Sequence, residues 1–265
     1  MKPVSNYDLT WRLGNQMTRI PGAVISEEPL SIRIQGNPYS VIMRTPGDEI
    51  SHAAGFCLGE GIVDTPEDFA SIGFCDDQDT NVVTVTLNPS RRSLIADLLN
   101  RRGFISQTSC GICGRELVGE LFQMIRPVQR EVRIPLEAAL SRLSRLSDLQ
   151  PLRKTTRSSH AAAIFQTEEA PLSIAEDVGR HNALDKAIGK LFLQQKLHLA
   201  EMVILSSRIS YELVQKTARA KIPVLLVVSR PTSLAVELAS RLNMTLGCLS
   251  KDDGLYLYTG EQRII

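Results

Sequence analysis

Residues 172–193 read LSIAEDVGRHNALDKAIGKLFL, and the stretch changes character halfway along. Residues 172–178 have the composition of a β-strand, whereas residues 182–193 place Leu184, Ile188 and Leu191 at helical spacing. Asn182, followed three positions later by Asp185, has the pattern of a helix N-cap. The polar residues between these elements therefore lie at a predicted strand-to-helix junction.

The same alternation of strands and helices extends on both sides of this stretch. Strands are predicted at 161–166, 202–205, 224–228, 244–249 and 255–258, and helices at 136–146, 210–220 and 233–242. Continuous apolar strands interleaved with helices indicate a central sheet that is covered on both faces. We therefore predict an α/β domain over residues 131–265.

The first part of the chain has a different pattern. A hairpin at 31–34 and 39–43, a strand at 81–87 and helices at 50–58, 90–100 and 115–125 predict a smaller α+β domain over residues 1–130. Pro127 and Pro135 bracket the predicted boundary. Residues 1–20 lack strong periodicity and are expected to form a loose leader.

Composition limits the class of protein. The 265 residues are 43% hydrophobic and 22% charged with a net charge of +1, which points to neither nucleic acid nor membrane. The five cysteines are an odd number in a chain of ordinary size, which argues against a disulfide framework and for a reducing compartment. With no apolar signal region at the N-terminus, a cytoplasmic location is expected.

The segment SCGICG at 109–114 places Cys110 and Cys113 three positions apart, ahead of a predicted helix. A helix dipole and Arg115 would favour the thiolate form, which is the reactive one. Zinc would need four ligands, and the other cysteines are isolated. A thioredoxin-like dithiol should follow a strand, and the preceding segment is short. Sulfane-sulfur transfer, redox chemistry, a zinc site shared between subunits and structural packing remain open from the residues alone.

Polar groups at the predicted strand ends suit a nucleotide. Arg180 is a candidate for phosphate, and Asp177, His181 and Asp185 for a base or ribose. Arg208 and Ser233 follow the next two strands, where capping is the alternative role for the hydroxyls. His181 and Asp185 would otherwise form a surface i,i+4 pair.

The other histidines receive no catalytic role. His160 is expected to hydrogen-bond at a strand end, and His52 and His198 are expected on the surface. Neither a P-loop nor a G-x-G-x-x-G motif is present, which disfavours nucleotide hydrolysis and NAD binding.

Eight short motifs are spread along the chain: EEPL (27–30), MRTPGD (43–48), GFCLGEG (55–61), SCGICG (109–114), HAA (160–162), EDVGRHNALDK (176–186), SYE (210–212) and PTSLA (231–235). Together they resemble those of the formate dehydrogenase accessory sulfurtransferases, the FdhD/NarQ family. The resemblance implies a cytidine-deaminase-like three-layer α/β/α fold with a mixed sheet for residues 131–265. The zinc signature of deaminases is missing, so deaminase activity does not follow.

The resemblance also implies a function. Family members take sulfur from a cysteine desulfurase and pass it to the molybdenum or tungsten bis-molybdopterin guanine dinucleotide cofactor, which then enters formate dehydrogenase. Cys110 would carry the persulfide and Cys113 would assist or share it, and no metal site belonging to the chain itself is implied. A homodimer is implied, and GDP is the expected mimic of the cofactor. The alternative is a chaperone that binds the cofactor without catalysis and uses its cysteines structurally.

A glycine- and arginine-rich cofactor-binding turn of the family corresponds here to six consecutive residues. They are Leu249, Ser250, Lys251, Asp252, Asp253 and Gly254. The chain departs from the pattern, because a lysine stands for an arginine and two aspartates stand for glycines. Carboxylates beside a diphosphate would repel it unless they point away.

Overall fold

The structure is a computed structural model that describes residues 2–76, 79–96, 125–166 and 169–265. The strands are β1 (Val4–Leu13), β2 (Gln16–Ile25), β3 (Glu28–Ile34), β4 (Asn37–Arg44), β5 (Phe69–Asp76), β6 (Asp79–Leu87), β7 (His160–Phe165), β8 (Ser173–Asp177), β9 (Met202–Leu205), β10 (Val224–Val227), β11 (Thr245–Leu249) and β12 (Leu255–Thr259). The helices are α1 (Glu49–Gly59), α2 (Pro89–Leu94), α3 (Leu136–Arg145), α4 (Pro151–Thr156), α5 (Arg180–Leu193), α6 (Tyr211–Arg219) and α7 (Ser233–Arg241). In these ranges no helix has the length and apolar character needed to span a bilayer.

Six strands form the large sheet in the order β12-β11-β10-β9-β7-β8. Strands β9, β10 and β11 are parallel, while β12, β7 and β8 pair antiparallel to their neighbours. The parallel steps from β9 to β10 and from β10 to β11 are each joined by a helix, and the antiparallel pairs β7–β8 and β11–β12 are each joined by a turn. Strand β7 lies between β8 and β9 and is antiparallel to both.

Both faces of the large sheet are covered. Val203 and Leu205 point into a core formed with α5, α6 and α7, whereas Met202 and Ile204 point into a second core formed with α3. The strands are therefore buried throughout, as their continuous apolar runs predict. The α/β fold class with three layers is confirmed.

A four-stranded sheet, ordered β4-β3-β6-β5, forms the body of the N-terminal half. Alternate residues of β3 (Leu30, Ile32 and Ile34) are buried against α1 and the same core that covers α5. The predicted hairpin, the strand at 81–87 and the helix at 50–58 are confirmed, while β5 and α4 are additional elements. The two-domain division stays a prediction, and the larger core contains residues from both halves.

Helices α1 and α5 pack with almost no side chain between them. A methyl group added at Gly55 would lie 1.9 Å from the backbone oxygen of Asp185, and one added at Gly189 would lie 1.8 Å from that of Ser51. Neither site has room for a β-carbon, so the two glycines allow the backbones to approach. This contact brings the N-terminal half onto the first turns of α5.

The prediction of a loose leader is wrong. Strands β1 and β2 form a regular antiparallel ribbon over residues 4–25, which we call the N-terminal ribbon. The sequence does contain the alternation of apolar and polar residues that is typical of a strand. Its apolar positions in β1 are Tyr7, Leu9, Trp11 and Leu13. Most of the ribbon is exposed, which is unusual for so apolar a face.

Some sequence predictions fall outside the described residues. The helix predicted at 115–125 lies there almost entirely, as do Cys110 and Cys113. Of the helix predicted at 90–100, the structure describes the part up to residue 96, where α2 ends at Leu94.

We expect Gly189→Ala to destabilise the protein despite the better helix propensity of alanine. Propensity alone would add about 1 kcal/mol of stability, whereas a methyl group forced into a packed backbone contact typically costs about 1–3 kcal/mol. The measurement is the free energy of unfolding from urea titration. Gly73→Ala in β5 is the control, because the added methyl group would meet no atom within 4 Å. Equal free energies for the two variants would contradict the close contact between α1 and α5.

Candidate functional site

The topology brings the predicted cofactor-binding residues to one side of the large sheet. The carboxyl ends of β9, β10 and β11 meet there, together with the end of β8 and the starts of β7 and β12. We call this side the carboxyl edge. The residues at or next to it are Asp177, Arg180, His181, Asp185, Arg208, Ser233, Leu249, Ser250, Lys251, Asp252, Asp253 and Gly254. Helices α5, α6 and α7 also begin there, so their free N–H groups add positive potential.

Asp177 is fully buried at the end of β8 and accepts hydrogen bonds on both oxygens. Its Oδ2 accepts from the Thr45 amide at 3.0 Å and lies 2.7 Å from the Lys186 ammonium. Its Oδ1 accepts from the Gly179 amide at 2.8 Å and from the Asn182 side chain at 2.9 Å. The carboxylate is therefore occupied by protein groups and is closed to a ligand.

The loop after β4 is held by this same group of residues. The Lys186 ammonium donates to the Thr45 carbonyl at 2.7 Å, and the Val178 amide donates to the Thr45 hydroxyl at 3.0 Å. The Asn182 side chain donates to the Met43 carbonyl at 2.8 Å. The prediction of Asn182 as the N-cap is wrong, because α5 begins at Arg180 with Gly179 as its cap. Asn182 connects the two halves of the chain instead.

Asp185 forms a second buried ion pair one turn further along α5. Both of its oxygens lie 2.8 Å from the Lys216 ammonium, which also sits over the Phe56 ring. Burial raises the pKa of Asp185, and the Lys216 charge opposes that shift. Asp185 is thus not the i,i+4 partner of His181, and it is enclosed like Asp177.

His181 lies partly exposed at the start of α5. Its Nε2 is 2.7 Å from Oε2 of Glu212 and 3.2 Å from the Ser210 hydroxyl, both at the beginning of α6. The hydrogen bond from His181 lowers the pKa of Glu212. The sequence pointed to His181 but not to Glu212, and the SYE motif at 210–212 was the available signal.

Arginine side chains give the carboxyl edge its positive charge. Arg180 is half-buried and Arg208 is exposed, and no described residue accepts a hydrogen bond from either guanidinium. Burial, followed by the charges of Arg180 and Arg153, lowers the pKa of His160 at the start of β7. Arg230 stacks over the Tyr256 ring at 5.2 Å. The open guanidinium groups are suited to bind an anion.

The hydroxyl residues at the strand ends mostly satisfy backbone groups. Thr232 caps α7 by accepting from the Ala235 amide at 3.3 Å, and Ser206 accepts from the Ala161 amide at 2.9 Å. Ser233 is exposed in the first turn of α7. Capping thus accounts for Thr232, while Ser233 remains open to solvent.

The turn after β11 is closed by Ser250. Its hydroxyl accepts from the Gly254 amide at 2.9 Å and from the Asp252 amide at 3.3 Å. Lys251, Asp252 and Asp253 are exposed, and Asp253 has a left-handed φ of 53° where glycine would be unstrained. The carboxylates therefore project outward from a turn that the serine holds.

His52 is completely buried in α1, so its predicted surface position is wrong. Burial, and then the nearby charges of Lys186, Lys216 and Arg44, hold its pKa well below the usual value. Arg44 is itself fully buried and lies 3.0 Å from Glu49. Arg44 belongs to the MRTPGD motif quoted from the sequence, whereas His52 and Glu49 lie between two of the quoted motifs.

Two of the three cysteines in the described part of the chain are enclosed by the protein. Cys57 and Cys248 are buried and Cys75 is exposed. Burial and the neighbouring Asp185 carboxylate raise the pKa of the Cys57 thiol, so it stays protonated. In the described part of the chain no group of three or more His, Cys, Asp and Glu side chains could hold a metal ion. The predicted sulfur site at Cys110 and Cys113 lies outside it.

Comparison with known proteins gives consistent matches. Residues 25–265 match the model of the FdhD/NarQ family. A sulfur carrier protein FdhD of Mycolicibacterium paratuberculosis is 38% identical, with all of both chains covered. One from Streptomyces avermitilis is 38% identical over 92% of this chain and 89% of its own. A formate dehydrogenase accessory protein from Desulfotalea psychrophila has a similar fold, with a TM-score of 0.78, 22% identity and 99% of both chains covered.

The buried neutral His52 should make the protein sensitive to acid. The folded pKa lies well below the unfolded value of 6.5, so the unfolded state binds the extra proton as the pH falls. The contribution of His52 to the free energy of unfolding should therefore be complete above about pH 6.5. Below that pH it should fall by up to about 1.4 kcal/mol per pH unit. His52→Leu should flatten this part of the stability profile, measured by urea unfolding between pH 7 and about pH 5.

His198→Gln is the control for this experiment, since His198 is exposed and its removal should leave the profile unchanged. The role assigned to His52 fails if both variants retain the slope of the parent protein.

Proposed function

Since the chain belongs to the FdhD/NarQ family, we propose that it takes persulfide sulfur from a cysteine desulfurase and transfers it to a molybdenum cofactor that carries guanine dinucleotide. The cofactor is a substrate held by the α/β half, and the recipient is a formate dehydrogenase. The names of the relatives support sulfur carriage and a role in formate dehydrogenase maturation. The cytoplasm, as a reducing compartment, is the proposed place of action.

The observation that carries the cofactor half of this proposal is the open positive charge at the carboxyl edge. Arg180 and Arg208 have no acceptor among the described residues, and three helices begin beside them. A diphosphate would supply the missing acceptors and benefit from the helix N-termini. Asp177, Asp185 and Lys186 keep α5 and the Thr45 loop in place, so we assign them positioning roles.

The turn at 249–254 is a weaker phosphate contact than the arginines. Asp252 and Asp253 are exposed, and none of the ion pairs between described residues neutralises them. Their charges would oppose a diphosphate at short range. We therefore assign the phosphates to Arg180 and Arg208, with the Lys251 ammonium as a further cation. His181 and Ser233 remain candidates for the nucleoside.

The sulfur half of the proposal rests on Cys110 and Cys113. A thiolate of this pair attacks the outer sulfur of the desulfurase persulfide, and a new sulfur–sulfur bond forms. The bond between the two desulfurase sulfurs breaks, and the desulfurase thiolate leaves with its electron pair. This loading step needs no external oxidant or reductant, because the sulfane sulfur keeps its oxidation level as it moves from one thiolate to the other.

We expect the protein to gain about 32 Da, the mass of one sulfur atom, after incubation with an active cysteine desulfurase and cysteine. Intact-protein mass spectrometry under non-reducing conditions measures the gain, and a reductant should remove it. Cys110→Ser should abolish it if Cys110 is the acceptor, and Cys113→Ser tests the sharing role.

Cys75→Ser is the matched control, because Cys75 is the exposed cysteine of the described residues and should not matter. An unchanged mass with an active desulfurase would refute transfer. If GDP binding persisted in that case, the chain would be a cofactor-binding chaperone with structural cysteines.

GDP should raise the melting temperature, and Arg180→Ala should reduce this shift by weakening binding at least about tenfold. The loss of a charge-assisted hydrogen bond to phosphate is typically worth about 1.5–3 kcal/mol. Binding is measured by differential scanning fluorimetry and isothermal titration calorimetry.

Arg241→Ala is the control, because Arg241 lies at the far end of α7, away from the carboxyl edge. ADP tests guanine recognition, and equal stabilisation by ADP and GDP would argue against it. An unchanged GDP affinity in Arg180→Ala would remove the carboxyl edge as the phosphate site.

A further inference from the structure

A tyrosine and an arginine lie together on the surface at the carboxyl edge. The guanidinium carbon of Arg230 is 5.2 Å from the centre of the Tyr256 ring. Arg230 follows β10 and Tyr256 is the second residue of β12, so both come from the part of the sheet where β10 ends and β12 begins. Both residues are exposed, and 44% of Tyr256 is accessible to solvent. We call Arg230 and Tyr256 the aromatic platform.

The aromatic platform is on the same side of the large sheet as α7. Tyr256 is the cross-strand partner of Cys248, which belongs to the core beneath α5, α6 and α7. The hydroxyl of Tyr258, further along β12, lies 3.7 Å from the sulfur of Cys248 and so points to this side as well. Leu255 points to the opposite side, where it packs against the second core. The platform therefore lies on the side of the sheet where α7 begins, shortly after Arg230.

The chemistry of the aromatic platform suits a flat ring. Tyr256 lies on an edge strand of the large sheet, and no ion pair joins Arg230 to a carboxylate within the described ranges. Aromatic rings and guanidinium groups are the surfaces on which proteins stack nucleobases. An exposed pair of this kind can therefore receive a heteroaromatic ring without displacing a contact of the folded chain.

The aromatic platform is also at a suitable distance from the proposed phosphate site. Arg208 follows β9, and β9, β10, β11 and β12 are successive neighbours in the sheet. Since neighbouring strands are about 4.8 Å apart, the end of β9 is about 10–14 Å from the strands β11 and β12. The ring and the terminal phosphate of an extended nucleoside diphosphate are separated by a length of this order. A diphosphate at Arg208 can therefore place the ring of the same molecule on the platform.

Exposed hydrogen-bond acceptors accompany the aromatic platform. Asp252 and Asp253 lie in the turn that leads into β12, and no ion pair within the described ranges neutralises either of them. The turn is held in place because the Ser250 hydroxyl accepts from the Asp252 and Gly254 amides. Guanine presents two adjacent donors, the ring N1–H and the 2-amino group, and a carboxylate can accept from both. Adenine has an acceptor at the same ring position, which a carboxylate would repel.

We infer that the guanine ring of the bound nucleotide stacks on the aromatic platform, and that the carboxylates of the adjacent turn accept from its N1–H and 2-amino groups. This binding mode rests on the proposed function, because it requires a cofactor that carries guanine. It also gives Asp252 and Asp253 a role, since charges that would oppose a diphosphate select the base at the other end of the nucleotide. Stacking accepts any base, so the carboxylates determine the preference for guanine.

Binding of GDP and of inorganic pyrophosphate to the full chain separates the aromatic platform from the phosphate site. Tyr256→Ala should weaken GDP binding about five- to a hundredfold, the range typical for removal of a stacked aromatic residue. It should leave the affinity for pyrophosphate unchanged, because pyrophosphate has no ring to stack. Arg180→Ala should weaken the binding of both ligands. Isothermal titration calorimetry and differential scanning fluorimetry measure the affinities.

Two further variants serve as controls for the stacking experiment. Tyr256→Phe keeps the ring, so its affinity for GDP should stay within about twofold of the parent protein. Tyr7→Ala removes an exposed tyrosine from β1, which pairs only with β2 among the described strands, and should change neither affinity. Circular dichroism and the melting temperature of each variant without ligand establish that it is folded.

Inosine diphosphate, which lacks the 2-amino group, tests the role of the carboxylates. The parent protein should bind it about tenfold less tightly than GDP, because one charge-assisted hydrogen bond is lost. The double variant Asp252→Ala/Asp253→Gly should bind the two nucleotides equally, and glycine suits the left-handed φ of 53° at position 253. Its affinity for pyrophosphate should be at least that of the parent protein, since two negative charges are removed.

Three results would overturn the inference while the proposed function stands. They are a GDP affinity that Tyr256→Ala leaves unchanged although Arg180→Ala lowers it, a loss of pyrophosphate affinity in Tyr256→Ala that matches the loss for GDP, and equal binding of GDP and inosine diphosphate by the parent protein. A parent protein that binds neither GDP nor pyrophosphate would instead refute the cofactor half of the proposed function, and the stacking site with it.

Discussion

The buried carboxylate of Asp177 is the interaction on which the arrangement of the two halves depends. It ends β8, accepts from the first turn of α5 and pairs with Lys186, while its other contact is the Thr45 amide from the N-terminal half. An ionised carboxylate inside a protein is tolerated when its oxygens are saturated by donors, as they are here. One side chain therefore sets both the start of α5 and the position of the loop after β4.

The contact between α1 and α5 extends this constraint. The glycines at 55 and 189 let the helix backbones touch, and His52, Asp185 and Lys216 are buried beside this contact. Lys216 is then neutralised by Asp185, and His52 is kept uncharged among cations. Among the described residues, these buried charges pair with one another, whereas the guanidinium groups of Arg180 and Arg208 at the carboxyl edge donate to no described acceptor. The site therefore combines buried charges that pair with each other and arginine charges that are accessible at the carboxyl edge.

Much of the fold could be predicted from the sequence, and the misses have specific causes. The strand-to-helix order of residues 131–265 was predictable because continuous apolar strands and amphipathic helices have distinct periodicities. The N-terminal ribbon was missed although Tyr7, Leu9, Trp11 and Leu13 alternate with polar residues. The spacing of Asn182 and Asp185 matches a helix N-cap pattern, which is why the sequence predicts a cap there. In the structure the Asn182 side chain instead donates to the Met43 carbonyl and to Asp177. Local patterns carry no information about partners that are distant in sequence.

The amino-acid sequence by itself determined the element order, the SCGICG segment and the polar residues at the strand ends, since these depend on residue types at short spacing. The tertiary structure alone decided which polar residues are closed and which are open. Asp185 and His52 are buried where the backbones of α1 and α5 approach at Gly55 and Gly189, more than a hundred positions apart. Asp177 is enclosed by Thr45 of the N-terminal half together with Asn182 and Lys186 of α5. Arg180 and Arg208 come together because β8 and β9 end at the same edge of the sheet, and no described residue accepts a hydrogen bond from either guanidinium. Burial is a property of packing between distant segments, and periodicity does not encode it.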